Sequence, residues 1–149
     1  MSLEILKYND SLKESLFRFT DNCFTEIGKS FEPQGRHSFY NGIPENFDLF
    51  LCLAEDGNVM GSAGIKKIDN DTCELKALYL ADELRGMGWG YKLLDTAVKF
   101  ARGAGYKRVV LDSMSKYKDA RRLYDRYGFK ETCRYNDNQY ADVFMEYKL

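Results

Sequence analysis

Arg85-Gly86-Met87-Gly88-Trp89-Gly90 lies between an apolar run, Leu75 to Leu80, and a segment of helical periodicity. Alternate glycines let a backbone pass close to a ligand with no Cβ atoms in the way. Where a helix starts at such a turn, its free amides point at the same place and its dipole favours negative charge there. The pattern reads as a phosphate cradle. A Walker loop requires G-x-x-x-x-G-K-[ST], and no Gly-Lys-Ser or Gly-Lys-Thr follows any of these glycines. A dinucleotide fingerprint requires G-x-G-x-x-G after the first strand of a βαβ unit. Here the third glycine arrives one residue early, and the loop follows the fourth strand-like segment. Both nucleotide readings fail on spacing.

Other reactive residue types are sparse. His37 is the only histidine and has no Ser or Cys partner placed by the sequence, so it reads as a surface or pocket-wall residue. Cys23, Cys52, Cys73 and Cys133 show no C-x-x-C spacing, which argues against both zinc and a disulfide framework. Three of them fall in apolar, strand-like runs, and all four are expected to be reduced core residues. Asp112-Ser113 closes a strand and either borders a substrate or makes a turn. Phe31, Phe39, Tyr40, Tyr79, Tyr135, Tyr140 and Phe144 are numerous enough to line a pocket, though large aromatics more often build core.

These residues need elements to position them. Leu3 to Tyr8 alternates like a short strand. Ser11 reads as an N-cap, with Glu14 completing a capping box before Leu16, Phe17 and Phe24. Residues 31–47 hold both prolines among aromatics and read as a broken helix or loop. Asp48 to Ile68 is a hairpin turning at Asp56-Gly57-Asn58. Asn70-Asp71 turns into a strand over Thr72 to Leu80. After the glycine loop, Leu93, Leu94, Ala97, Val98 and Ala101 form a helical stripe closed by Gly103 and Gly105. Lys107 to Asp112 is a buried strand. Ala120, Leu123, Tyr124 and Tyr127 face one side of a last helix, and Phe129 to Arg134 and Ala141 to Leu149 finish as strands. The order predicts a mixed sheet with helices on its faces.

The whole-chain properties narrow the class. The 149 residues are expected to form one domain, 1–149, large enough to bury a core without a staple. A net charge of -1 with interspersed signs argues against nucleic acid. The longest apolar run, Leu49 to Ala54, is strand-sized, so no membrane span is expected. MSLEILKYND has no long apolar stretch and does not read as a signal peptide, so a cytoplasmic location is expected.

The pattern R-G-x-G-x-G after L-Y-L-A-D-E-L resembles the acyl-CoA loop of the GNAT superfamily of N-acetyltransferases. Ala120-Arg-Arg-Leu-Tyr-Asp-Arg-Tyr-Gly-Phe129 is similar to that family's A-x-x-L-Y-x-x-x-G-F segment, at a matching separation. The resemblance covers residues 48–149; residues 1–47 agree only in element order. It implies an α+β GNAT fold: a twisted, mostly antiparallel mixed sheet flanked by helices, its fourth and fifth strands parallel and splayed apart. It implies acetyl-CoA as acyl donor, with no metal. Leu78, Tyr79 and Leu80 would hold the pantetheine arm, and Arg85, Gly86, Gly88, Trp89, Gly90 and Tyr91 the pyrophosphate. Where many members carry Asn three residues before the helix alanine, this chain has Tyr117.

The implied reaction is direct acetyl transfer to a primary amine of a small molecule. A lysine-like amine of pKa about 10.4 costs about 4.6 kcal/mol to neutralise at pH 7, so a base is useful. The resemblance assigns Tyr124 as general acid for the leaving thiolate and Glu74 as the candidate base. Strand alternation sets Glu74 with Lys76 and Leu78, opposite Cys73, Leu75 and Ala77. Glu74 reads alternatively as a solvent-facing carboxylate or a cross-strand partner of Lys66 or Lys67, and Tyr127 as a substitute acid. Two other functions fit the same motifs: a peptide or protein N-acetyltransferase, and a non-catalytic acyl-CoA sensor. Homodimers are possible in such a family, but no interface is legible in this sequence.

Overall fold

Leu49–Glu55 (β2) is apolar at nearly every position because helices cover both of its faces. Leu49, Leu51 and Leu53 pack into one core cluster, and Phe50 and Cys52 into another. In the computed structural model, which describes residues 2–149, β2 lies within a seven-stranded sheet. Glu4–Lys7 (β1) pairs with one edge of β2 and Asn58–Lys67 (β3) with the other. Thr72–Leu80 (β4), Arg108–Ser113 (β5), Lys130–Glu131 (β6) and Val143–Lys148 (β7) complete the order β1-β2-β3-β4-β5-β7-β6. All pairs are antiparallel except β4–β5. The β2–β3 hairpin turns at Asp56-Gly57, as the Asp-Gly pair requires.

The helix Lys13–Glu26 (α1) buries Leu16, Phe19, Cys23 and Phe24, an i, i+3, i+7, i+8 stripe, against the Phe50 face. It is followed by a 3-10 turn, Ser38–Gly42, and the single turn Ile43–Asn46 (α2). The opposite face carries Trp89–Gly103 (α3) and Lys118–Tyr127 (α4). Leu93, Leu94, Ala97, Val98 and Ala101 are wholly inaccessible there. Removing each leucine from water contributes roughly 1.5–3 kcal/mol.

Several expectations are corrected. The chain entering α1 is capped by Asn9, whose Oδ1 accepts the Ser11 N–H at 2.9 Å. Ser11 itself lies inside a 3-10 turn, Asp10–Leu12. Asn9 precedes the turn and so reaches its free amide, and the Ser11 hydroxyl donates to Asn9 instead of capping the helix. Cys133 lies beyond Lys130–Glu131 and is exposed rather than core. The strand expected over Phe129 to Arg134 shrinks to β6, because the chain beyond it bends away into a loop.

The β3–β4 register slips between Ser62 and Gly64, where Ala77 takes a left-handed φ of 59°. This bulge inserts one residue and flips the alternation after it. Ala77 and Tyr79 therefore face the α1 side with Glu74 and Lys76, while Leu78 and Leu80 join the α3 core with Cys73 and Leu75. The expected grouping of Leu78 with Glu74 is overturned for that reason.

Candidate functional site

β4 runs directly into the glycine loop. A 3-10 turn, Asp82–Leu84, leads to Arg85; Gly86 and Gly88 then adopt φ of 78° and 87°. Such left-handed backbone is available to glycine at little cost. No atom lies within 4 Å of a Cβ built on either glycine, so conformation rather than crowding demands them. Gly88 is the N-cap of α3, and no side chain caps that helix. The first-turn amides of Trp89, Gly90 and Tyr91 thus lack intrahelical partners, as at any helix start. Gly90 differs: it has no left-handed φ, and its Cβ would stand 3.5 Å from Leu123 Cδ2, an ordinary contact.

Arg85 is tethered at both ends of this turn. Its Nε lies 2.7 Å from Asp82 Oδ1 and its Nη1 3.4 Å from Asp119 Oδ2 in the first turn of α4. Asp119 also holds Arg122 at 2.6 Å. These exposed pairs contribute at most about 1 kcal/mol each, so they orient more than stabilise. Trp89 carries Lys92 Nζ 4.5 Å above its ring, and Tyr91 packs 5.2 Å from Tyr127.

The second component is the gap between β4 and β5. The two strands pair over only three rungs, ending at Glu74↔Val110. Beyond that rung β5 stays with β7 as far as Ser113↔Val143, while β4 stays with β3 as far as Leu80↔Gly61. The edge of β4 that carries Leu78, Tyr79 and Leu80 is therefore free of β5. This is the splay expected from the motifs.

Three phenols meet at this gap. Tyr124 is buried on α4, 5.9 Å from Phe129. Burial, followed by the Asp112 charge, raises its pKa above the usual 10.0. Tyr79 is raised well above it by burial and then by Tyr40, Tyr124 and Tyr117 around it. The Tyr117 hydroxyl is buried and has no hydrogen-bond partner among the described residues.

Glu74 sits on the last shared rung and is buried rather than solvent-facing. Its Oε2 accepts the Tyr135 hydroxyl at 2.6 Å, and its Oε1 lies 3.7 Å from Lys76 Nζ. Lys66 is its register partner on β3, but it makes no ion pair with Glu74. Burial and then the Glu74 charge raise the Tyr135 pKa. Beside this pair, Asp112 Oδ2 accepts Asn136 Nδ2 at 2.7 Å and Asn138 Nδ2 at 3.4 Å. Arg134 donates to the carbonyls of Asn138 and Ala141, fastening the same loop. Residues 134–141 are thereby pinned beside Glu74 and Asp112. Sequence reasoning named Tyr135 only as an aromatic and did not name Asn136 or Asn138. Nothing local marks a pair 61 positions apart.

The aromatic segment forms the wall on the α1 side. His37 is buried, not on the surface; its Nδ1 accepts the Glu32 N–H at 3.0 Å and its ring packs 5.0 Å from Phe24. Burial and then Arg36 lower its pKa. It holds the loop together and lies apart from Tyr124 in the contacts it makes. Two surface hollows lie elsewhere: one of about 810 Å³ at Asp71, Lys107 and Lys148, the other of about 420 Å³ between Arg18, Asn58 and Glu83. Neither includes the gap. Among the described residues no His, Cys, Asp and Glu group could hold a metal, and no helix is long and apolar enough to cross a membrane.

Residues 13–129 match the acetyltransferase (GNAT) family. The chain is 32% identical over 101 residues to an uncharacterized N-acetyltransferase of Schizosaccharomyces pombe, covering 67% of this chain and 62% of that one. It is 36% identical over 84 residues to the uncharacterized N-acetyltransferase YjgM of Escherichia coli, covering 54% and 50%. The chain thus spans 50–62% of the length of these relatives. A solved N-acetyltransferase of Thermoplasma acidophilum, in complex with coenzyme A, shares the fold with a TM-score of 0.80 at 24% identity over 100% of both chains.

Proposed function

Since the chain belongs to the GNAT acetyltransferase family, we propose that it transfers an acetyl group from acetyl-CoA directly to a primary amine of a small molecule. One arrangement carries this reading: the open first turn of α3 at one end of the β4–β5 gap and the buried Tyr124 within it. The residues fit the donor. The left-handed Gly86 and Gly88 leave an uncapped set of amides for the pyrophosphate, with Arg85 beside them. The free edge of β4 at Leu78, Tyr79 and Leu80 suits the amide-bearing pantetheine arm. The orphaned Tyr117 hydroxyl is a buried donor that a passing polar chain would satisfy.

Acetyl-CoA supplies an activated thioester carbonyl. Tyr124 supplies a proton to the departing sulfur. Its raised pKa keeps the phenol protonated at neutral pH, the state a general acid needs. Glu74 takes the proton of the attacking amine, and the Tyr135 hydroxyl and Lys76 hold its carboxylate in place. No covalent enzyme intermediate is required, since the amine attacks while Tyr124 serves the leaving group. Phe31 and His37 pack upon Phe24, Tyr40 upon Phe31 and Phe47 upon Phe39, and the 134–141 loop is pinned across the gap. Both features favour a small acceptor over a peptide.

Thiol release from acetyl-CoA in the presence of a panel of small amines tests the proposal. Release that depends on the amine supports it. Tight CoA binding with no release on any amine points instead to a sensor, and release on peptides alone to a peptide acetyltransferase.

A further inference from the structure

α1 closes with a Schellman turn. Gly28 adopts a φ of 76°, its N–H donates to Thr25 O at 3.1 Å, and the Lys29 N–H donates to Phe24 O at 2.7 Å. That turn fixes the Lys29 backbone, and its side chain lies back with Nζ 4.6 Å from the Phe24 ring centroid. Phe24 in turn packs edge-on to Tyr79, at 5.2 Å, on the splayed part of β4. The Lys29 ammonium therefore stands half-buried on the aromatic wall of the acceptor side.

Among the described residues Lys29 makes no ion pair, and no carboxylate lies within 4.0 Å of it. Burial and then Arg36 lower its pKa, Asp112 opposes them, and Lys116 and Lys76 add to the lowering. Lys116 lies with its Nζ 5.5 Å from the Tyr117 ring, and the other three neighbouring charges are already engaged. Arg36 has Glu32 at 3.9 Å and the Tyr140 ring at 4.2 Å. Lys76 has Glu74, and Asp112 is held by two asparagine amides. A partly desolvated cation crowded by like charges is stabilised by an incoming anion. Resting on the transfer reaction above, we propose that the acceptor amine carries a small oxyanion, a carboxylate or a phosphonate, and that Lys29 receives it.

Thiol release is to be measured with phenylalanine, methionine and leucine, each beside its carboxamide and its decarboxylated amine, and with 2-aminoethylphosphonate beside ethanolamine. Wild type is expected to show kcat/KM at least tenfold higher for anionic amines than for their uncharged counterparts. Lys29→Met keeps the stem on Phe24 and should erase that preference through the KM of the amine. The KM of acetyl-CoA and the rate on uncharged amines should stay unchanged, and Lys29→Arg should retain the preference. Turnover of carboxylates alone or of phosphonate alone supports the proposal and identifies the oxyanion. Turnover of uncharged amines alone, or as good as that of anionic ones, overturns it while the transfer reaction stands. A rise in the acetyl-CoA KM in Lys29→Met also overturns it, since Lys29 would then serve the phosphates of the donor. Absence of release on every one of these amines overturns both proposals together.

Discussion

The Glu74 carboxylate and the Tyr135 hydroxyl meet at 2.6 Å on the last rung shared by β4 and β5. Glu74 lies in the sheet centre, while Tyr135 arrives on a loop pinned by Arg134 and by the amides on Asp112. The bond thus ties the acceptor-side loop to the point where the sheet opens.

Tyr135→Phe leaves a buried carboxylate short of one donor. A hydrogen bond to a charged group is worth about 1.5–3 kcal/mol, and urea unfolding should report a loss of that size. The combined Tyr135→Phe and Glu74→Gln variant should lose less than the sum of the two single changes, because they share one interaction. Additive losses would show that the two residues act independently.

The glycines of the loop should separate by role. Gly88→Ala forces a Cβ into a φ of 87°, which costs about 1–2 kcal/mol and moves the amides of the turn. CoA affinity, read by calorimetric titration, should fall at least tenfold. Gly90→Ala places its Cβ 3.5 Å from Leu123 Cδ2, an ordinary contact, and should keep affinity within about threefold. Equal losses at both positions would argue against the distinction.

Alkaline pH should destabilise the protein through its buried thiols. Burial raises Cys23 from 9.0 to about 11, and Cys52 and Cys73 to about 12. Because the folded values lie above the unfolded one, the unfolded chain loses these protons first. The stabilisation is complete below pH 9 and is lost as pH rises from 9 towards 11 and 12. At pH 10 each thiol should have removed on the order of 1 kcal/mol. Thermal melts should show a falling Tm above pH 9, and Cys52→Ala should flatten that limb. A flat profile to pH 11 would contradict it.

The strands and helices were legible because each rests on local pattern, and the splay followed only from the family resemblance. The stripe at Leu93, Leu94, Ala97, Val98 and Ala101, the Asp-Gly turn and the glycine loop all announce themselves within a few residues. The bulge at Ala77 was not legible, since alanine carries no mark of left-handed backbone; the strand registers impose it. Ser11 and Asn9 are both good caps, and only the chain path selects Asn9. The Glu74–Tyr135 bond and the Lys29 position join distant segments through packing, which no periodicity encodes. The motif residues Tyr124, Arg85 and Gly86 were named from sequence, and the fold sets them around one gap.

The central claim is that Tyr124 protonates the departing thiolate at this gap. Thiol release from acetyl-CoA by Tyr124→Phe, beside CoA affinity by titration, tests it most directly. The expected result is a fall in kcat on the order of 10²-fold with CoA affinity and thermal stability nearly intact. Undiminished turnover in Tyr124→Phe would contradict it.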